Sequence, residues 1–221
     1  MTDVIRTRPV GRVTADAALL AGGVLAGPLW VAVALAQGLT RAGFDFRRHP
    51  VSVLSNGDLG WVQIANFVLA GLLCLGAAAA LRRIPHPGLG PVSGPWLIGQ
   101  YGLGLVLSGI FVADPVDGFP AGTPAPGTVS WHGLAHFAAG AVAFPALIAA
   151  CLVAARRFAG RGERGWSVFS AVTGLFFAAA WLALIGSGGR PVAMVLFALA
   201  VAAGWAWVTV TLWRARRDAA G

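Results

Sequence analysis

Residues 61–81 read WVQIANFVLAGLLCLGAAAAL, 21 residues without a single charged side chain. A helix needs roughly 20 predominantly apolar residues to cross the hydrocarbon of a bilayer. The stretch therefore reads as a membrane-spanning helix. On its N-terminal side lies FDFRRHPVSVLSNGDLGW, Phe44–Trp61, crowded with acids, arginines, a histidine and serines; on its C-terminal side stands the pair Arg82-Arg83. An oily span between a polar loop and an arginine pair is the pattern for the whole chain.

Working outward, five further apolar runs fall at about 15–39, 96–113, 131–155, 166–187 and 191–213. The run over 96–113 is the shortest and holds Gln100 and Tyr101. Only 11% of the 221 residues are charged and 57% are hydrophobic, whereas soluble domains carry roughly 25% charged residues. The expectation is an all-α, polytopic integral membrane protein: one six-transmembrane-helix bundle over 15–213 with polar outer loops. A basic arm over 1–14 and a basic tail over 214–221 complete the chain.

The sixteen basic residues are all arginine. They cluster at the ends of apolar runs instead of forming a stripe interleaved with aromatics, so they set topology and do not mark a nucleic-acid surface. With the N-terminus inside, twelve fall on inner segments and only Arg41, Arg47, Arg48 and Arg190 on outer ones. The positive-inside rule then predicts a multi-pass protein of the cell membrane with both termini cytoplasmic. The first run ends in VALAQG, whose Ala34-Leu35-Ala36 has the look of a processing site. The run is long for a signal peptide and is interrupted by Pro28, which favours a retained helix. Cys74 and Cys151 lie within apolar runs and read as small core residues. Gly23-xxx-Gly27 and Gly104-xxx-Ser108 are spaced for close helix packing.

The polar residues gather on one face. Three outer connections, 40–60, 114–130 and 186–190, hold four of the eight acids, Asp45, Asp58, Asp114 and Asp117. His49 lies in the first of them, and His132 and His136 follow the second in the first two turns of the fourth helix, so three of the four histidines are on this side. The inner connections look like arginine-flanked turns, with His86 a solvated loop residue between two prolines. No carboxylate relay is expected within a helix, and Gln100 reads as interhelical glue. Among the outer residues, His49, Asp114, Asp117 and His132 are candidates for proton transfer. Arg47, Arg48 and Arg190 suit an anionic headgroup, with Ser52, Ser55, Gln63 and Asn66 as further lining. His132 and His136, spaced i, i+4, project from one helix face and suggest a divalent metal such as zinc with Asp114 or Asp117 as third ligand. Haem is discounted, since two histidines on one face cannot take opposite axial positions. Each residue also has a plainer role. Asp58 fits an N-cap for the second helix, Asn56-Gly57 ends a short helix begun at Pro50, Ser130 caps the fourth helix, and Asp45–Arg47 or Asp117–Arg190 would pair.

The run His49-Pro50 through Ser52, Ser55 and Gly60-Trp61-Gln63-Asn66-Phe67, with Asp114-Pro115 and His132, resembles the bacterial integral membrane proteins of domain-of-unknown-function family 998, over about residues 15–215. The resemblance implies a six-helix bundle and brings no activity. A looser likeness, in the scatter of Ser, Asp and His at one membrane face, is to the seven-helix zinc-dependent lipid amidohydrolases; helix count and motif order both differ. Two functions are thus expected to compete. One is a membrane enzyme acting on a lipid or isoprenoid at the extracytoplasmic face. The other is a non-catalytic membrane protein, such as an accessory subunit, small-molecule binder or transporter component, whose outer polar cluster is structural.

Overall fold

A computed structural model describes residues 10–84, 86, 88–123 and 128–219. The arginines of the expected N-terminal arm at 6 and 8 lie outside them. Six helices follow in order: α1 Val10–Thr40, α2 Gly60–Leu81, α3 Ser93–Ile110, α4 Trp131–Ala159, α5 Arg164–Ser187 and α6 Pro191–Asp218. A single short 3-10 turn, Val51–Ser55, lies between α1 and α2. Several boundaries differ from the apolar runs. The first helix starts at Val10, ahead of residue 15, and the last continues to Asp218, so most of the expected tail is helix.

Five of these helices, all but α3, are long and apolar enough to cross a membrane. The multi-pass, all-helical architecture follows. The count of six does not follow on the same criterion. With 18 residues that include five glycines, Gln100 and Tyr101, α3 falls short of the span hydropathy that α2 and α4 reach. Its glycines serve packing instead. A Cβ on Gly71 of α2 would come within 2.6 Å of the Gly102 carbonyl oxygen, and one on Gly102 within 2.8 Å of that of Gly71. Backbones can approach this closely only where both side chains are absent.

Each helix packs on the next and α6 closes onto α1, making a sequential ring. Its interior is filled by aromatics. Trp205 of α6 meets Trp30 of α1 at 5.7 Å and Tyr101 of α3 at 5.3 Å between ring centroids. The expected close-packing glycines act within the chain: Gly23 faces Ala77 and Leu212, Gly27 faces Trp205 and Thr209, and Gly104 faces Ala143. Gln100 is exposed and makes no side-chain hydrogen bond among the described residues. Its place on the helix turns it outward, which corrects its expected role as glue.

The bundle has two polar ends. The connections 82–92 and 160–163 and the end of α6 meet at one, called inner here; the connections 41–59, 111–130 and 188–190 lie at the other. At the inner end Asp16, within α1 and 2% exposed, accepts from Arg83 at 2.8 Å. A helix of the bundle thus does carry a buried charge. Arg214 of α6 reaches Glu163 at 2.5 Å and stacks on Phe158 and Trp166. His86, expected in solvent, is 3% exposed. Its Nδ1 accepts from Leu89 N–H at 3.2 Å, and Nε2 lies 3.9 Å from the Asp218 carboxylate. The extension of α6 past residue 213 supplies both the arginine and the carboxylate that cover this ring. Burial pulls the His86 pKa down to about 4, against the raising effect of Asp218.

Candidate functional site

The outer end is built from two loops folded onto one another. In the first, Asp45 Oδ1 accepts from the backbone N–H of Arg47 at 2.8 Å, fixing the turn that presents His49. The expected Asp45–Arg47 side-chain pair does not form, because the backbone amide takes the carboxylate; Arg47 itself is exposed. His49 is 1% exposed. Its Nδ1 accepts from Asp45 N–H at 2.9 Å, which leaves the ring proton on Nε2, 3.3 Å from the Asp117 carbonyl. Phe44 and Phe119 flank the ring at 5.5 Å each.

The second loop turns at Val116-Asp117-Gly118-Phe119, where Asp117 and Gly118 have φ of 50° and 79°. Asp tolerates this left-handed region better than most residues, and Gly enters it freely. Phe119 N–H closes the turn on the Val116 carbonyl at 3.0 Å. The turn sets Asp117 against Arg48, with Nε to Oδ2 at 2.7 Å. That hydrogen bond holds the Asp117 carboxyl below its usual range and raises the guanidinium. Arg48, not Arg190, is therefore the partner of Asp117. Arg190 caps α6 at the other side of the ring; its N–H meets Ser187 Oγ at 3.3 Å and its side chain is exposed.

Asp114 joins α3 to α4. Its carboxylate accepts from Ser130 N–H at 2.8 Å and Ser130 Oγ–H at 2.5 Å, while Ser130 Oγ accepts from Gly133 N–H at 3.0 Å. The expected cap at Ser130 is thus itself capped. Gly133 makes room for it, since a Cβ there would come 2.1 Å from Asp114 Oδ2. His136 Nδ1 faces the carbonyl oxygens of Phe111 at 2.8 Å and Ser108 at 3.2 Å, tying α4 to the last turn of α3. His132 instead is exposed and stacks on Trp131 with ring centroids 3.7 Å apart. The two histidines share a helix and not a centre. Among the described residues no three His, Cys, Asp or Glu side chains are grouped to hold a metal.

Ser52 and Ser55 serve the 3-10 turn, Ser55 Oγ–H donating to the Ser52 carbonyl at 2.6 Å. As expected, the turn begins after Pro50 and ends at Asn56, whose amide donates to Val53 and Ala113 carbonyls at 3.1 and 2.9 Å. Asp58 is not the N-cap of α2; Leu59 holds that position without a side-chain bond. Below, Gln63 and Asn66 are buried at 0% and 5% exposure and do not line an open floor. Gln63 Oε1 accepts from Gln37 Nε2 at 2.8 Å and Asn66 Nδ2 at 3.4 Å; Asn66 also donates to the Trp30 carbonyl at 3.1 Å. Gln37 passed unremarked in VALAQG, yet its helical spacing from Trp30 already put both on one face.

An open cavity of about 590 Å³ does lie at this end, lined among others by Thr40, Arg41, Asn56, Asp58, Leu59 and Phe119. His49, Asp114, His132 and Arg190 are not on its wall. Sequence reasoning passed over Arg41 as a topology marker, and it is the most constrained arginine here. Its guanidinium donates to the carbonyl oxygens of Leu54 and Asn56 and lies 4.9 Å over the Phe119 ring. Burial pulls its pKa down and Asp58 holds it up.

The chain matches a family of proteins of unknown function, DUF998, over residues 24–214. It belongs to that family. No curated protein and no solved structure matches it. The outer loops and the cavity of this DUF998 member fall inside the matched residues, and so do the six helices apart from the first turns of α1 and the last turn of α6.

Proposed function

We propose that the protein is a non-catalytic membrane protein, a small-molecule binder whose outer polar loops form a structural cap. One observation carries this reading: three of the four outer candidates for proton transfer, His49, Asp114 and Asp117, are already spent on the fold, and the fourth, His132, stands apart from them on the exposed face of α4. Both nitrogens of His49 face backbone groups, and Asp114 is held by Ser130. A general base needs a lone pair within reach of its substrate, and these lone pairs point into the loops. The cavity beside them is lined by other residues.

In this reading all six helices cross the cell membrane and both termini are cytoplasmic. The arginine pattern favours it, with Arg82, Arg83, Arg156, Arg157, Arg161, Arg164, Arg214, Arg216 and Arg217 toward the inner end. The length of α3 also favours it: 18 residues make about 27 Å of helix, close to the roughly 30 Å hydrocarbon thickness. Trp96 near its start is 60% exposed, and Trp131, which opens α4 and meets Phe111 at the far end of α3 with ring centroids 6.1 Å apart, is 67% exposed, as interfacial anchors should be. Lipid then covers the apolar outer faces of α5 and α6.

Thermal unfolding in detergent tests the reading. His49→Gln and Asp114→Asn are each expected to lower Tm by about 2–4 °C, the effect of losing roughly 1 kcal/mol in a chain of this size. Variants with wild-type Tm that abolish conversion of a lipid by the purified protein would overturn it in favour of the enzyme.

A further inference from the structure

We propose that the outer cavity binds a zwitterion in which a phosphate and an amine are joined by a short linker, with Arg41 taking the phosphate and Asp58 the amine. This rests on the reading of the protein as a binder and assigns that binder its site and ligand class.

The argument begins with what each outer charge is doing. Asp45 accepts from Arg47 N–H, Asp114 from Ser130, and Asp117 from Arg48. Asp58 has no hydrogen-bond partner among the described residues, and it lies on the cavity wall. Its charge acts on Arg41, yet the two form no ion pair among the described residues. Unlike charges that share one cavity without touching leave between them the space a dipolar ligand fills.

Arg41 is prepared for the anionic half. The carbonyls of Leu54 and Asn56 and the Phe119 ring fix its plane, while its remaining N–H groups make no other hydrogen bond among the described residues. A guanidinium whose plane is already fixed loses little freedom on binding, and its fork matches two phosphate oxygens at once. Nearby backbone leaves this edge uncrowded. Gly57 has φ of 74°, and a Cβ there would meet Arg41 Nη2 at 3.0 Å. Asp58, exposed at the rim, supplies the complementary charge for an ammonium.

The surroundings suit a lipid headgroup as one source of this chemistry. Leu59 lines the cavity, and Leu39 and Trp61 beside its walls are 78% and 65% exposed. Apolar surface thus continues from the rim to the lipid-facing helices, so acyl chains can remain in the bilayer while the headgroup enters. A soluble phosphate-amine would use the same two groups without that surface.

The test uses the full chain in detergent, titrated calorimetrically with short-chain phosphatidylethanolamine, short-chain phosphatidylglycerol and free phosphoethanolamine. The ethanolamine lipid is expected to bind up to about fivefold tighter than the glycerol lipid, the worth of an exposed ion pair. Asp58→Asn should abolish that preference and leave phosphatidylglycerol affinity within about twofold. Arg41→Lys keeps the charge and loses the fork, and should weaken both lipids by about tenfold, as expected for a charged hydrogen bond. Comparable binding of free phosphoethanolamine identifies a soluble ligand; binding of the lipid alone identifies the headgroup. An unchanged preference in Asp58→Asn overturns the assignment of this cavity while leaving a binder elsewhere on the protein. Binding by neither lipid nor by phosphoethanolamine overturns the ligand class. Conversion of a titrated lipid to product would instead overturn the non-catalytic reading itself.

Discussion

At the inner end Asp16 is 2% exposed against Arg83, and Glu163 holds Arg161 and Arg214 together. At the outer end Arg48 and Asp117 pair while half exposed, and Asp58 pairs with nothing among the described residues although Arg41 shares its cavity. The inner end seals helix termini with charges that belong to the helices themselves. The outer end is built of loops, which fix most of their polar groups locally and leave one carboxylate over. Counting polar residues points to the outer face as the site and to the inner face as plain turns. Following each donor and acceptor to its partner gives a different result: both ends are largely structural, and what distinguishes the outer one is a cavity with an unspent pair of charges. Asp58 is exposed, so what marks it is its place: it takes no partner among the described residues and shares a cavity wall with Arg41.

Three substitutions or conditions sharpen that contrast, beginning with the largest effect. Asp16→Ala strips the partner from a buried inner ion pair and should cost about 2–3 kcal/mol, on the low side for a buried pair because Arg83 is 45% exposed. Chemical unfolding followed by tryptophan fluorescence would measure it, and a loss below the error of the method would mean that the inner charges do not seal the bundle. At the outer end Gly133→Ala displaces the Asp114 carboxylate from the start of α4 and should cost about 1–2 kcal/mol. Gly165, by contrast, has open space around it, so Gly165→Ala provides the control for helix propensity alone.

The third concerns acid. His86 has a folded pKa of about 4, against an ordinary value of 6.5. The unfolded chain therefore takes up this proton first, and stability contributed by the neutral ring falls as pH drops from 6.5 toward 4, then levels off. The loss is expected to be roughly 2 kcal/mol between pH 7 and pH 5, the folded value already including the raising effect of Asp218. Tm measured across that range in wild type and His86→Leu would check it; the variant should lose that part of the pH slope, and equal slopes would contradict the burial of this ring.

Much of the fold is legible in the sequence, because span length and charge placement are coarse physical constraints that tertiary packing seldom overrides. Residues 61–81 and their flanks decide the class alone. Helix ends are less legible: α1 and α6 run past their apolar cores, since polar residues continue a helix as readily as apolar ones once it is nucleated. The expected cap at Ser130 and the short turn after Pro50 form as read, both being local. The metal pair His132 and His136 and the partners of Asp45 and Asp117 depend on how two loops meet, and spacing along one helix says nothing of that. Arg41, Gln37 and Asp16 are missed for a shared reason. Each sits at the margin of an apolar run, where arginine reads as a topology signal, glutamine as part of a processing-like site, and an aspartate at the second position of the run is passed over. Whether such a residue turns inward is set by the neighbouring helix.

The most direct measurement compares two outer carboxylates in parallel, Asp58→Asn and Asp114→Asn, reading Tm and phosphatidylethanolamine affinity in the same preparations. Asp114→Asn should lower Tm by about 2–4 °C and leave affinity within about twofold, whereas Asp58→Asn should leave Tm unchanged and reduce affinity by up to about fivefold. The reverse pattern, with Asp114 governing the ligand and Asp58 governing stability, would contradict the division of the outer end into a structural cap and a binding cavity.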